Sequence, residues 1–364
     1  MPEELMTRWI DGIDAVDPAQ WDALALGLAT PFLEWRWLHL LESSGSACPA
    51  RGWTPHHLTV WSGDDLVAAA PFYVKTTGSG EFLDYRSWYA TGRQGLRRAS
   101  KRLVGMVPFT PLSAYRFLMA KGVDPAAMTL GMAGEIQNHC RQHAIGSWHL
   151  LFVDPQWQAP WKHLGHQVWG HPALVWENPG CRDFSDYLAG FGAVRRRSIR
   201  REQAAVARAG IDIEMVAGPK APALFFEWMF EYYTDTNRRY DPQKTPYLTE
   251  AFFAGLERWW RHRLVFAAAW EQGLDQPLAL ALLAVKGDRL WGRYWGRARP
   301  LRHLHFATCV YGPIQWAIAN RIRWFNPGPG GDHKRMRGFV EVPSYSVHRF
   351  TGQWQAISSP TAKD

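Results

Sequence analysis

Cysteine and long apolar runs are scarce in this sequence. The four cysteines, Cys48, Cys140, Cys181 and Cys309, are widely separated and form no CxxC pair. This spacing predicts neither a zinc site nor a disulfide framework, and it is typical of proteins in a reducing cytosol. The longest clean apolar run, Leu278 to Val285, is far too short to cross a membrane.

The sequence also predicts no signal peptide, and no low-complexity tract is apparent in it. The first residues, MPEELMTRWIDGIDAVD, carry acidic side chains and no apolar stretch of the kind that directs secretion. We therefore expect a cytoplasmic protein, with peripheral association at the inner membrane as a further option. Its hydrophobic fraction of 47% and charged fraction of 20% predict an ordinary globular core.

Positive charge and tryptophan are abundant instead. The formal net charge of +8 favours anionic partners, such as a nucleotide cosubstrate, RNA or an anionic membrane surface. A general preference for arginine explains the charge equally well. The 21 tryptophans suit a large core and also a surface where an apolar ligand meets water, so they favour an apolar substrate. We expect no DNA partner and no metal site.

Two segments of the sequence are alike, which predicts two lobes of similar build. His57–Lys75 and Leu264–Trp295 each contain apolar strands separated by a Gly-Asp turn. In each half a helix and another strand are expected to follow, at Asp124–His143 and Ser147–Val153, and at Leu304–Asn320 and Arg323–Asn326. The lobes are predicted to span residues 1–165 and 166–364, with the active site in the second.

The second lobe is expected to begin with a helix near residue 182 that runs through an arginine-rich stretch. Its arginines have the i,i+4 spacing of neighbours on a helix face, as in Arg196 with Arg200 and Arg197 with Arg201. This pattern predicts an exposed cationic ridge. Such a ridge is suited to tRNA phosphates, anionic lipid headgroups or coenzyme A, and equally to simple solvation.

A glycine-rich loop after the last predicted strand holds the densest group of titratable residues. Asp332 is placed to orient His333 as an acid–base group. Three cations could neutralise a phosphate or an acidic substrate group, namely Lys334, Arg335 and Arg337. A turn with charged surface side chains is the alternative interpretation.

The predicted helix near residues 304–320 carries a second set of candidates. His303 and His305 are possible general bases, because an imidazole titrates near neutrality. His305 and Cys309 share a face and would permit a thioester intermediate, although a packed thiol is the simpler interpretation of Cys309. Tyr311 is a further catalytic candidate. Pro313 cannot donate a hydrogen bond and predicts a bend.

A basic turn precedes this helix and supplies three arginines, Arg297, Arg299 and Arg302. Cations beside a helix N-terminus are suited to an anionic, phosphate-bearing cosubstrate, and a solvated loop is the alternative. The aromatic candidates for substrate binding are Trp88, Tyr294, Trp295 and Tyr345.

Several stretches together carry a resemblance to a known family. They are FLEWRWLHLLESSGSACPARGWTPHHLTVW at 32–61, VPFTPL at 107–112, RRRSIRRE at 195–202, RYWG at 293–296, HLHFATCVY at 303–311 and GGDHKRMRGFVEVPSYSVH at 330–348. In these stretches the chain resembles a bacterial family of predicted N-acyltransferases, labelled peptidoglycan biosynthesis/recognition proteins, which are GNAT-like and FemAB-like. It departs from the usual family pattern after Trp88, after Cys309 and at Pro313.

The resemblance implies an α/β fold of two tandem GNAT-like lobes, each a mixed, mostly antiparallel sheet flanked by helices. It implies an N-acyltransferase that uses acyl-CoA as a cosubstrate, without a tightly bound cofactor, and a primary amine as acceptor. A lipid-like amine, as in bacterial ceramide or aminolipid synthesis, would suit the family. The alternative is a FemAB-like aminoacyltransferase that uses aminoacyl-tRNA and acts on a peptidoglycan precursor or peptide. A non-catalytic binding protein with the same fold is the third reading.

Overall fold

The chain forms two compact units in this computed structural model, which describes residues 4–77, 80–82, 101–241 and 245–350. The first unit contains the described residues up to Leu28, Phe32–Pro172 and those from Pro343 onward. The second unit contains Ala29–Pro31 and Ala173–Val342.

The strand Val340–Phe350 does not follow the predicted boundary between the lobes at residue 165. Val340–Phe350 was expected in the second lobe, but its residues from Pro343 belong to the first unit. The physical reason is strand pairing, because this segment runs antiparallel to Ser147–Val153. A pairing partner almost two hundred residues earlier in the chain leaves no local trace in the sequence.

The described strands of the first unit form two sheets. One is antiparallel throughout, in the order Leu5–Ile10, His57–Ser62, Asp65–Ala70 and Leu118–Met119. The other is mostly antiparallel, with one parallel pair between Ser147–Val153 and Arg102–Gly105, and follows the order Val340–Phe350, Ser147–Val153, Arg102–Gly105, Phe72–Lys75 and Trp53–Pro55.

Among the described residues of the first unit, the helices are Pro18–Ala25, Trp35–Ser43, Pro125–Gln142 and Ala159–His163. Asp17 and Asp124 cap two of them by accepting hydrogen bonds from backbone N–H groups, and each is followed by a proline that suits the first helical turn. The predicted helix and strand in this part of the chain, at Asp124–His143 and Ser147–Val153, are confirmed.

The second unit contains one sheet with a single parallel pair. Its order is Ile211–Ala217, Leu264–Glu271, Ala279–Lys286, Arg289–Arg297, Trp324–Asn326 and the end of Gln167–Glu177. The parallel pair joins Arg289–Arg297 to Trp324–Asn326. The central strands are buried on both faces, which explains their almost continuous apolar sequence.

The helices of the second unit flank this sheet. They are Phe184–Ala189, Ala193–Arg208, Leu224–Tyr240, Glu250–Trp259, Leu304–Phe306 and Gly312–Ala319, with a π-helical turn at Ala307–Tyr311. A single helix was expected from residue 182. The structure has two helices there, because the helical conformation is interrupted between Gly190 and Gly192.

The mixed, mostly antiparallel sheets with their helices confirm the predicted α/β fold class with two lobes. Among the described residues, no helix is both long enough and apolar enough to cross a membrane.

Candidate functional site

The strand Arg289–Arg297 has one open edge. On one side it pairs with Ala279–Lys286 along its whole length, with a bulge around Arg293. On the other side, Trp324–Asn326 pairs only with its first three residues. Residues 292–297 therefore have no strand partner on that side within the described chain.

The helical segment after this strand is irregular at its centre. His303 precedes it in the left-handed region, with φ +66°. The π-helical turn at Ala307–Tyr311 follows, and Pro313 lies in the first turn of Gly312–Ala319. Since proline has no N–H, the regular ladder cannot continue through it. This π-helical turn precedes Pro313, where a bend was predicted, and such turns are frequent at functional sites.

Two imidazoles from separate segments meet beside the open strand. The ring centroids of His305 and His333 are 5.8 Å apart. The His305 ring lies 4.8 Å from the Trp295 ring, and the His333 ring lies 5.3 Å from the Phe306 ring. The structure therefore brings together two of the predicted catalytic residues and one predicted substrate-binding aromatic.

The surroundings of both imidazoles favour the neutral form. Burial, followed by the nearby His333 and cationic side chains, lowers the pKa of His305 to about 4. Burial and the neighbouring Lys334 and Arg337 also lower the pKa of His333. Nε2 of His333 is buried and has no hydrogen-bond partner in the described part of the chain. An unpaired buried polar atom is uncommon and calls for a functional explanation.

A buried ion pair fixes the segment that carries His333. Nη2 of Arg337 donates to Glu202 over 2.7 Å, and Nε of Arg337 donates to the Tyr311 hydroxyl over 2.8 Å. Tyr311 in turn donates to Glu202 over 2.5 Å. Burial acts against the Glu202 carboxylate, but these hydrogen bonds outweigh it and keep the pKa of Glu202 below its ordinary value.

Arg337 also contacts the His333 segment directly. Its Nη1 donates to the His333 carbonyl over 2.7 Å, and its guanidinium lies 3.4 Å from the centre of the Phe306 ring. Glu202 therefore positions His333 through Arg337. Sequence reasoning did not identify Glu202. The available signal was one carboxylate inside the run RRRSIRRE, on the same helix face as the buried Ile199 and Val206.

Lys334 and Arg337 were predicted to neutralise a phosphate or an acidic substrate group, and in the structure both have intramolecular partners. Both are buried, and Arg337 is committed to Glu202 and Tyr311. The Lys334 ammonium donates to the carbonyls of Gly328 over 2.9 Å and Pro329 over 3.1 Å. Burial lowers the pKa of Lys334 to about 8.

Asp332 and Arg335 lie on the surface. The Asp332 carboxylate is fully exposed and is 3.9 Å from Arg335, so it does not orient His333 by a direct hydrogen bond. Arg335 also forms an ion pair with Glu341. The segment places His333 inward and these two charges outward.

Cys309 and Tyr311 have packing roles in this geometry. Cys309 is half-buried, and burial raises the pKa of its thiol, so the reactive thiolate is disfavoured. Tyr311 is buried with its hydroxyl between Glu202 and Arg337.

The three arginines of the basic turn have different surroundings. Arg299 is paired with Glu271 over 2.5 Å, Arg302 is exposed, and the Arg297 guanidinium lies 5.9 Å from the Trp295 ring.

The ring of Tyr294 packs against Tyr233, with the two ring centroids 5.3 Å apart. Tyr345 belongs to the first unit, and Trp88 lies outside the described residues.

Comparisons with known proteins agree with this fold. The crystal structure of FemX has 10% sequence identity, a TM-score of 0.57, and covers 95% of this chain and 98% of its own. The C-terminal domain of a putative lysylphosphatidylglycerol synthetase from Agrobacterium fabrum has 11% identity and a TM-score of 0.56, with 92% of each chain covered. The structure of L-PGS from Bacillus licheniformis has 11% identity, a TM-score of 0.51, and coverage of 88% and 92%. These likenesses show a shared fold.

A sequence comparison with curated proteins finds no significant match. A family model does match, over residues 12–357, which is nearly the whole chain. Its description is peptidoglycan biosynthesis/recognition, the family that the sequence motifs had indicated. The chain therefore belongs to the FemAB-like family.

Proposed function

We propose that this protein is an N-acyltransferase that moves an acyl group from an acyl thioester, such as acyl-CoA, to a primary amine. The observation that carries the proposal is the unpartnered, buried Nε2 of His333 beside the neutral ring of His305. A neutral imidazole with a free lone pair is the form that accepts a proton from an ammonium group.

The reaction follows directly from such a base. His333 removes a proton from the ammonium acceptor, and the free amine attacks the thioester carbonyl. A C–N bond forms and the C–S bond breaks, and the departing thiolate takes up a proton to leave as a thiol. Backbone N–H groups near Tyr294 on the open strand edge would stabilise the tetrahedral oxyanion. No covalent enzyme intermediate is required, which agrees with the packed position of Cys309.

The open edge of residues 292–297 supports a thioester donor with an extended, amide-containing arm. Such an arm can add to a sheet edge by main-chain hydrogen bonds, as peptides do. Coenzyme A has this kind of arm between its thiol and its phosphates. The predicted phosphate contacts then rest on Arg297 and Arg302, since Arg299 is already paired.

The second candidate is aminoacyl transfer from tRNA to a peptidoglycan precursor or a peptide. Membership of the FemAB-like family favours it. The bond changes are the same, except that an ester oxygen leaves in place of a thiolate. The two candidates differ in the donor, so a donor comparison separates them.

The test is amide formation by the purified protein. Long-chain acyl-CoA and charged tRNA are supplied separately with a panel of primary amines, and products are identified by mass spectrometry. We expect amide from acyl-CoA, and we expect His333→Gln to reduce kcat/KM by about 10²- to 10⁴-fold.

His163→Gln, an exposed histidine in the first unit, is the matched control and should retain activity. Product from charged tRNA alone would replace the first candidate by the second. If the single variants His305→Gln and His333→Gln each kept full activity, the proposed site would be overturned.

A further inference from the structure

The helix Ala193–Arg208 presents an outer face made of arginine and alanine. We call Arg197, Arg200, Arg201 and Arg208 the arginine ridge; all four are exposed. The buried face of the helix holds Ile199, Glu202 and Val206, so the ridge lies on the opposite side. Exposed alanines at 193, 204 and 207 lie between the arginines and leave the guanidinium groups projecting.

The charge of the ridge is not neutralised within the described chain. None of its four arginines forms an ion pair there, although many other arginines of the protein do. The only carboxylate on the helix is Glu202, and it is occupied by Arg337. A concentrated, unpaired positive face of this kind attracts an anionic surface.

Exposed apolar side chains lie at the N-terminal end of the same helix. Val194 is 74% exposed, and Met336 is 47% exposed with its sulfur 2.7 Å from Nη2 of Arg195. The helix contains no aromatic residue on which a nucleic-acid base could stack. Cations combined with exposed aliphatic side chains are typical of surfaces that bind the lipid–water interface.

We propose that the arginine ridge docks the protein on an anionic lipid surface. Arginine binds lipid phosphates in a bidentate way, and Val194 enters the interfacial region beside them.

The same helix carries Glu202 on its inner face, where it positions His333 through Arg337. The site therefore lies about one helix diameter, roughly 10 Å, behind the docked face. This proposal deepens the proposed function, because it would supply an amphiphilic amine from the membrane.

Binding to vesicles without either substrate tests the docking surface separately from acyl transfer. Vesicles of phosphatidylcholine are compared with vesicles that also contain phosphatidylglycerol, in a sedimentation assay. We expect binding only to the anionic vesicles, and we expect it to fall as salt shortens the Debye length from about 10 Å at 0.1 M to about 3 Å at 1 M.

A charge-matched pair of triple variants distinguishes a local surface from net charge. The ridge variant is Arg197→Gln, Arg200→Gln and Arg201→Gln. The control removes three exposed cations of the first unit, by Lys121→Gln, Arg141→Gln and Lys162→Gln. We expect the ridge variant to lose about 100-fold in vesicle partitioning, with the control close to wild type.

Val194→Asp should weaken binding to vesicles and leave any binding to bulk tRNA unchanged. Equal partitioning of the two triple variants would overturn the proposal. So would a ridge variant that loses tRNA binding while it keeps vesicle binding, since the ridge would then be a nucleic-acid surface. Amide-forming activity on soluble amines should persist in the ridge variant, so a failure of docking and a failure of the proposed chemistry give different results.

Discussion

The hydroxyl of Tyr311 donates a 2.5 Å hydrogen bond to the same Glu202 oxygen that accepts from Arg337. Three segments of the second unit are joined at this oxygen: the arginine-rich helix, the π-helical turn and the segment that carries His333. The arrangement makes Glu202 the centre of the support behind the proposed base.

Replacement of Glu202 by glutamine should destabilise the protein. The amide cannot neutralise Arg337, which would remain as a buried charge, and loss of one partner of such a pair costs about 3 kcal/mol or more. The measurement is the free energy of unfolding from urea denaturation. Arg201→Gln on the exposed face of the same helix is the control and should change it by less than about 0.5 kcal/mol. Equal effects of the two substitutions would contradict a buried ion pair.

Gly331→Ala should displace the His333 imidazole. Gly331 has φ +93°, and a Cβ there would lie 2.3 Å from Cε1 of His333. Gly330→Ala is the matched control, because Gly330 has φ +74° and nothing within 4 Å of a built Cβ.

Both variants share the backbone strain of a positive φ, about 1 kcal/mol, and only the first has the clash. We expect amide formation to fall at least about tenfold in Gly331→Ala relative to Gly330→Ala, since misplacement of a catalytic group is costly. An unchanged His333 NMR signal in Gly331→Ala would disprove the contact.

The first unit should lose stability in mild acid. Nδ1 of His149 lies 2.8 Å from Nδ1 of His348, and Nε2 of His348 lies 2.7 Å from the Ser346 hydroxyl, all buried. Burial, followed by Arg102, lowers the pKa of His149 to about 3, and burial lowers the pKa of His348 strongly.

These lowered pKa values determine the direction in which folding stability changes with pH. Above about pH 6.5 both the folded and unfolded states keep these histidines neutral, so their contribution to stability is complete. As pH falls from there toward 3, the unfolded state binds protons that the fold excludes, and stability falls by up to about 1.4 kcal/mol per pH unit for each histidine. Urea denaturation at several pH values measures this slope. His348→Phe should flatten it and His163→Gln should not, and a slope equal in both variants would refute the assignment.

Cysteine labelling should separate two classes of thiol. Cys140 and Cys309 should resist an aromatic disulfide reagent in the native protein, because burial raises the pKa of both, to about 12 for Cys140. The half-buried Cys48 serves as the reference thiol for the native protein, and all four should react after denaturation. Rapid native labelling of Cys309 would restore the thioester intermediate as a mechanism.

Much of the fold could be predicted from local pattern. The strands at Leu264–Glu271, Ala279–Lys286 and Arg289–Arg297 follow apolar runs and a Gly-Asp turn that are visible in the sequence. Asp124 and the proline after it predict the start of the helix Pro125–Gln142. Such signals are local, because capping, turn geometry and side-chain periodicity depend on residues a few positions apart.

The candidate site could be predicted only in part. The sequence singled out His305 and His333, since imidazoles near a helix start and in a glycine-rich loop are chemically conspicuous. It gave no means of telling which charges are buried, so Lys334 and Arg337 were expected to face a ligand.

By itself, then, the sequence determined the order of the elements and the residue types available for proton transfer. The tertiary structure alone decided that Glu202 meets Arg337 from 135 residues away, that Asp332 points to solvent, and that Val340–Phe350 pairs with the first unit. The physical reason is that burial and long-range pairing depend on the free energy of the whole packed chain, whereas propensity and spacing act over a few residues.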